Sequence, residues 1–176
     1  MEAQSVDNLK AAIREIPDWP KQGILFYDVT TLLKQGRCFG QTIDALLEPY
    51  RNAKVDLVVG IEARGFIFAP PVAYALKAGF IPVRKPGKLP AAKLQVNYEL
   101  EYGTDCLEIH QDAIEPGQRV LIVDDLIATG GTAKAVAEMV EAMGATVVGL
   151  AFVVELGFLH GREKLQKYDL HTVLKY

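Results

Sequence analysis

Residues 119–132 read RVLIVDDLIATGGT, and this stretch decides the fold class. Four consecutive apolar residues after Arg119 predict a buried strand, and two adjacent carboxylates, Asp124 and Asp125, follow them directly. A short apolar spacer leads to a loop at residues 128–132 that carries glycines and hydroxyls. Apolar residues then recur at helical spacing up to Gly144, which predicts a helix that ends there. The stretch therefore predicts a strand, a loop and a helix N-terminus in succession.

The loop at residues 128–132 is suited to an anion. A helix N-terminus presents unpaired N–H groups, and glycine lets the backbone approach a phosphate closely. Carboxylates at the end of a parallel strand lie where open α/β sheets bind ligands, and they can accept hydrogen bonds from sugar hydroxyls. We therefore favour a sugar phosphate; the alternative is a plain strand–turn–helix with two solvated aspartates. The sequence contains neither a P-loop motif nor a dinucleotide-binding fingerprint after a strand.

Composition excludes several classes of protein. The 176 residues are half apolar and 23% charged, which is typical of one globular domain with a sizeable core, residues 1–176. The net charge of −3 and the pI of about 5.6 disfavour a nucleic-acid-binding surface. We expect no membrane span and no secretory signal, and we interpret Cys38 and Cys106 as thiols in a reducing cytoplasm. The three histidines lack metal-ligand spacing.

Strand patterns alternate with helix patterns, which indicates an α/β fold: a mainly parallel sheet flanked by helices, with one antiparallel hairpin. The first helix is predicted to be capped by Ser5, to bury Val6, Leu9, Ile13 and Ile16, and to end at Pro17. Further helices are predicted over residues 38–51 and 72–77, with an uncertain start beside Pro70 and Pro71. Strands are predicted at residues 56–61, 80–84, 95–102, 106–110, 146–154 and 170–174.

Two further segments have the composition of anion sites. Residues 60–66 (GIEARGF) follow a buried strand, and the Arg64 guanidinium could bind pyrophosphate oxygens in a fork. Residues 83–90 (VRKPGKLP) carry Arg84, Lys85 and Lys88 among prolines and a glycine, which predicts a mobile cationic loop over a polyanion. The alternatives are a surface arginine and a solvated basic loop.

These segments, with GILFYDVT at residues 23–30 and LEYG at residues 100–103, resemble the adenine phosphoribosyltransferases over nearly the whole chain. Residues 119–132 resemble the phosphoribosyl-pyrophosphate (PRPP) signature of the wider type I phosphoribosyltransferases. The resemblance implies transfer of the 5-phosphoribosyl group of PRPP to adenine, giving AMP and pyrophosphate in purine salvage. A transferase for another base and a PRPP-sensing nucleic-acid-binding regulator are the alternatives; the acidic pI and the lack of an added DNA-binding segment disfavour the regulator.

The resemblance also implies roles for individual residues. Adenine would stack on Phe26 and hydrogen-bond the backbone of Leu25 and Tyr27. Glu101 would act as the catalytic group at N7, and Tyr102 would help close the site. Arg64 would contact pyrophosphate, and Arg84, Lys85 and Lys88 would lie in or beside a flexible hood that closes on PRPP. Asp124 and Asp125 would hold the ribose. The 5′-phosphate would be held by Ala128, Thr129, Gly130, Gly131 and Thr132.

Other implications of the resemblance concern cofactor, partner and backbone. Mg²⁺ would be bound through PRPP and water, with no direct protein ligand, and the protein would be a cytoplasmic homodimer. A cis peptide bond is expected between Glu62 and Ala63, and residues 85–97 are expected to be mobile without PRPP. Tyr27 stands where the family commonly has arginine, and Pro71 lies in a stretch that the family usually makes helical.

Overall fold

The computed structural model describes residues 3–99 and 104–176. The chain divides into two compact units, Met1–Ala45 and Leu46–Tyr176. The first unit contains a short two-stranded antiparallel sheet, in which Ile16 lies opposite Phe26 and Glu15 opposite Tyr27. Its elements are α1 (Ala3–Ala11), β1 (Arg14–Pro17), β2 (Leu25–Asp28), α2 (Thr30–Leu33) and most of α3 (Gly36–Leu47).

The prediction for the first helix is wrong in two respects. The helix begins before Ser5, which therefore does not cap it, and it ends at Ala11. Residues Arg14–Pro17 form β1 because they pair with β2, and the Arg14 guanidinium binds Asp28 across the hairpin at 2.5 Å. This partner strand lies outside the local window, so the apolar spacing in residues 6–16 could not reveal it.

The second unit is built on a five-stranded parallel sheet of order β4-β3-β7-β8-β9. Its strands are β3 (Leu57–Ile61), β4 (Gly79–Val83), β7 (Arg119–Ile127), β8 (Thr146–Glu155) and β9 (Leu170–Lys175). A separate antiparallel hairpin joins β5 (Lys93–Glu99) to β6 (Thr104–His110). The helices are α4 (Gly65–Leu76) and α5 (Gly131–Ala142), and short 3₁₀ turns lie at Glu48–Tyr50, Gly157–Leu159 and Gly161–Leu165. The predicted fold class is confirmed.

Side-chain alternation along the strands explains how helices cover the sheet. Val120 and Ile122 of β7 belong to one buried cluster with Val136 and Val140 of α5. Alternate residues point to the opposite face, where Gly60 of β3 would place a Cβ 2.8 Å from the Ala69 Cβ of α4. This close approach permits only glycine at that position. Helix α5 thus covers one face of the sheet and α4 covers the other.

The structure fixes the start of α4, which the sequence left open. The helix spans Gly65–Leu76 and contains Pro70 and Pro71, so it begins before the predicted residues 72–77. Interior prolines remove helical hydrogen bonds. Burial of Phe68, Ala69 and Val72 offsets that loss, because these side chains pack on the sheet. Among the helices of residues 3–99 and 104–176, none is long and apolar enough to cross a membrane.

Candidate active site

The carboxyl ends of β3 and β7 meet at one cavity of about 340 Å³ in the second unit. Gly60 pairs with Val123, so the loop after β3 lies beside the two aspartates that follow Val123. Strand β7 continues through Asp124 and Asp125 to Ile127, longer than its apolar run suggested. Most of the predicted second-unit site residues line this cavity: Arg64, Lys85, Asp124, Asp125, Ala128, Thr129, Gly130, Gly131 and Thr132.

The two aspartates are held in a poorly solvated position. Asp125 is 5% exposed, and its N–H donates to Oδ1 of Asp124 at 2.8 Å. Burial, and then the charge of Asp125, raise the pKa of Asp124 well above its usual range. Burial also raises the pKa of Asp125, although the Arg64 guanidinium opposes this change. Both carboxyls are therefore harder to ionise here than in water.

Oδ2 of Asp125 is buried and accepts no well-formed hydrogen bond from the described residues. Arg64 Nε lies 2.8 Å away, but its contact lacks hydrogen-bond geometry. A buried carboxylate oxygen that makes an ion pair but no hydrogen bond can still accept a hydrogen bond from a ligand. The pair is therefore placed to accept hydrogen bonds from hydroxyls that enter the cavity.

Gly65 allows the loop after β3 to approach Asp124. A Cβ at this position would lie 2.7 Å from Oδ1 of Asp124 and 3.1 Å from the carbonyl oxygen of Val123. The peptide bond between Glu62 and Ala63 is cis, which confirms that prediction. The sequence shows a glycine after β3, but it does not show that this glycine lies against Asp124. That contact depends on the pairing of β3 with β7.

The N-terminus of α5 opens into the same cavity. Gly130 has a φ of +76° and precedes the helix, and Lys134 donates its N–H to the Gly130 carbonyl. The N–H groups of Gly131, Thr132 and Ala133 therefore belong to the first turn, which makes no hydrogen bonds within a helix. Such a turn attracts anions, because its N–H groups and the helix dipole both favour negative charge.

The cationic segment is divided between the cavity and a half-buried ion pair. Lys85 lines the cavity, and its backbone N–H donates to Oε2 of Glu62 at 2.8 Å. Arg84 instead pairs with Glu62 at 3.0 Å and lies over the Phe66 ring. Hydrogen bonds from Arg84 and from the Lys85 N–H lower the pKa of Glu62. Neither Arg84 nor Lys88 is among the residues that line the cavity.

Glu108 fastens this segment to the β5–β6 hairpin. Its buried carboxylate accepts hydrogen bonds from the Gly87 N–H at 3.1 Å and the Gln95 amide at 2.5 Å, and it pairs with Lys93. Burial alone would raise the pKa of Glu108, but these contacts outweigh it and the pKa is lowered. The predicted mobility of residues 85–97 stays a prediction.

Two cavity residues, Tyr98 and Asp105, were missed from the sequence. They face each other across the hairpin, and the Tyr98 hydroxyl donates to Oδ2 of Asp105 at 3.3 Å. Burial raises the pKa of Tyr98, and the nearby Thr132 hydroxyl partly opposes that rise. The sequence does show an aromatic residue and an acidic residue on either side of a predicted turn. It does not show the strand register that places Tyr98 opposite Asp105.

The remaining predicted site residues lie elsewhere. Leu25, Phe26 and Tyr27 form part of β2 in the first unit. The Phe26 and Trp19 rings meet edge-on there, with their centroids 4.4 Å apart. Tyr27 is buried; burial, and then the charge of Glu15, raise its pKa. Glu101 and Tyr102 lie outside the described residues. Within residues 3–99 and 104–176, no three His, Cys, Asp or Glu side chains cluster as metal ligands.

Comparisons with known proteins show the family of the chain. The phosphoribosyl transferase domain family matches residues 29–174. The adenine phosphoribosyltransferase of Solibacter usitatus is 63% identical over 169 residues, covering 96% of this chain and 98% of that protein. The crystal structure of the Rhodothermus marinus enzyme of the same name superposes with a TM-score of 0.95 at 52% identity, covering 99% of this chain and all of that one. The Saccharomyces cerevisiae enzyme, complexed with an iminoaltritol bisphosphate and adenine, superposes with a TM-score of 0.91 at 44% identity, covering 98% and 99% of the two chains.

Proposed function

The chain belongs to the adenine phosphoribosyltransferases of the phosphoribosyl transferase family, and from this premise we propose that it converts adenine and PRPP to AMP and pyrophosphate. The observation that carries the proposal is the cavity shared by the aspartate pair and the α5 N-terminus. One end offers carboxylate acceptors for ribose hydroxyls, and the other offers N–H donors for a phosphate. A 5-phosphoribosyl group carries both kinds of partner.

We assign the 5′-phosphate to residues 128–132 and the ribose hydroxyls to Asp124 and Asp125. Arg64 and Lys85 line the same cavity, which supports pyrophosphate on that side. Arg84 and Lys88 are assigned to positions in or beside the hood that closes over PRPP. Positioning and electrostatics would supply most of the rate, because the anomeric carbon develops positive charge as pyrophosphate leaves.

We assign adenine to Leu25, Phe26 and Tyr27. Strand β2 lies in a two-stranded sheet, so alternate N–H and C=O groups along its second edge point away from β1. Adenine donates at N6 and accepts at N1, whereas a 6-oxopurine reverses both, so backbone partners can discriminate between them. Phe26 is assigned to stacking, Glu101 to proton handling at N7, and Tyr102 to closure of the site.

We further propose that Mg²⁺ accompanies PRPP. The Asp124 and Asp125 carboxylates both line the cavity, and this pair of acceptors fits a cation held through substrate and water with no direct protein ligand. When bound, Mg²⁺ would neutralise the pyrophosphate leaving group.

A homodimer is supported by an exposed apolar stripe on α4, where Ile67, Pro70, Pro71 and Tyr74 follow helical spacing.

The free thiols Cys38 and Cys106 support a cytoplasmic location, which fractionation of the source cells would test. The assignment of residues 1–176 to one phosphoribosyltransferase domain is likewise a proposal.

A steady-state assay with PRPP, Mg²⁺ and adenine, hypoxanthine or guanine tests the function. We expect kcat/KM for adenine to exceed that for hypoxanthine by about 10²-fold or more, because two buried polar groups would be mispaired. Comparable rates with hypoxanthine would overturn the choice of base. Retention on heparin at low salt without turnover would favour the regulator instead.

The same assay on Tyr27→Arg tests recognition through the backbone. We expect the adenine-to-hypoxanthine ratio to stay nearly unchanged, and the ratio does not depend on the fraction of folded enzyme. A switched preference would overturn only the backbone account.

A further inference from the structure

The loop assigned to the 5′-phosphate rests directly on a second backbone segment. A Cβ on Gly161 would lie 2.1 Å from the Ala128 carbonyl oxygen and 2.9 Å from the Gly130 nitrogen. A Cβ on Gly130 would lie 2.4 Å from the Gly161 carbonyl oxygen. The two backbones therefore pack against each other with no room for a side chain on either side. Any shift of Gly161 must be transmitted to the loop.

The turn that contains Gly161 is held by its neighbour Arg162. The guanidinium binds the buried Glu155 carboxylate through two prongs, at 3.1 and 2.7 Å, and donates to the Leu170 carbonyl at 3.1 Å. Thr172 also donates to Glu155, at 2.9 Å. Glu155 lies opposite Ile127 in the sheet, immediately before the loop begins. The anchor is therefore adjacent to the segment that Gly161 contacts.

The other end of the turn is fixed in the core. Leu165 is buried in the same cluster as Ala133 and Val136 of α5. The segment Gly161–Leu165 is thus attached to β8 through Arg162 and to α5 through Leu165, and it packs against the loop that connects β7 to α5. Neither Gly161 nor Arg162 lines the cavity.

We propose that Gly161 and Arg162 are positioning residues that set the geometry of the 5′-phosphate loop from behind. This inference rests on the proposed function, because it takes residues 128–132 as the phosphate site. Gly161 sets the distance at which the turn supports the loop, and Arg162 fixes the turn to Glu155. Substitution should weaken ligands that carry a 5′-phosphate and spare those that reach only the pyrophosphate side.

Gly161→Ala is the principal variant, measured by calorimetry with AMP and, separately, with Mg²⁺-pyrophosphate. We expect AMP affinity to fall on the order of 10-fold or more, because small misplacements of a binding group are costly, while pyrophosphate affinity changes less than about twofold. Gly40→Ala is the matched control. Gly40 lies in α3, no other residue comes within 4 Å of its added Cβ, and both affinities should be retained.

Arg162→Lys is the second variant and decides the matter if Gly161→Ala fails to fold. It keeps the charge but loses the fork, so AMP affinity should fall about 3- to 10-fold with pyrophosphate affinity again retained. Unchanged AMP affinity, or equal loss for both ligands, would overturn the inference. A parent protein that turns over no base and binds no AMP would instead overturn the proposed function, and the inference with it.

Discussion

At the residue scale, the aspartate pair is placed for ligand binding at a cost to folding. Burial raises the pKa of both carboxyls, so the folded state disfavours the charged forms that dominate in the unfolded chain at neutral pH. A raised carboxyl pKa destabilises the fold increasingly as pH rises through the interval from the unfolded to the folded pKa. Carboxylates that served only the fold would not be buried together.

Asp124→Asn should therefore separate activity from stability. The amide oxygen can still accept the Asp125 N–H, while the buried charge is removed. We expect kcat/KM to fall on the order of 10²-fold or more, with the urea midpoint at pH 7 unchanged or raised. Asp56→Asn is the control, because Asp56 binds the Arg119 N–H at the other end of the strands and its loss should spare kcat/KM. Near-parental activity in Asp124→Asn would refute the assigned role.

Single residues also show what could be predicted from the sequence. Asp124, Asp125 and the loop at residues 128–132 were identified because strand end, glycine and helix start are adjacent in the chain. Tyr98, Asp105 and Gly161 escaped because each acts through a partner distant in sequence or fixed by strand register. Local patterns identified the loop, whereas its supports depend on tertiary packing.

At the element scale, the strands of the parallel sheet were predicted nearly in full, because buried apolar runs bounded by turns are a strong signal. The differences lie at β1 and β2, which were not predicted as strands, and at α4, whose start was left open. Strand β1 has four residues and depends on its partner β2, and α4 contains two prolines that local rules place outside a helix. In both, tertiary contacts outweigh local preference.

The end of β8 supplies a pH test at this scale. Hydrogen bonds from Arg162 lower the pKa of Glu155 to about 2 despite its burial. A carboxyl group with a lowered pKa stabilises the fold at pH values above its ordinary pKa, near 4.5. This stabilisation is lost as the pH falls toward 2. Glu155→Gln should lower the unfolding free energy by up to about 3 kcal/mol at pH 7. The loss is smaller than this limit because solvent screens the half-exposed Arg162.

Urea titrations at several pH values between 3 and 7 measure the difference in unfolding free energy between parent and Glu155→Gln. The difference should shrink as the solution becomes more acidic. Glu48→Gln removes an exposed pair with Arg51 and should show a difference near zero throughout. A difference for Glu155→Gln that is constant with pH would contradict the account.

At the scale of the whole molecule, α4 carries apolar surface that its own unit does not cover. Tyr74 is 88% exposed and Ile67 37% exposed, one on each side of the half-buried Pro70 and Pro71. Residues at intervals of three and four share one helix face, so these four form a continuous stripe. Contiguous exposed apolar surface on a folded chain marks an interaction site, and in a homodimer two copies of the stripe can cover each other.

Sedimentation velocity at several concentrations tests this prediction with Tyr74→Glu. We expect the parent to sediment as a dimer and Tyr74→Glu to shift toward monomer, because a buried interfacial charge without a partner is strongly unfavourable. Tyr74 is exposed on the isolated chain, so its replacement should leave the thermal stability of the monomer nearly unchanged. Phe158→Glu is the matched control, since Phe158 is also an exposed aromatic residue but belongs to the 3₁₀ turn Gly157–Leu159 and not to α4. A dimer that persists in Tyr74→Glu but dissociates in Phe158→Glu would place the interface at the turn. A parent that sediments as a monomer at all concentrations would refute the homodimer itself.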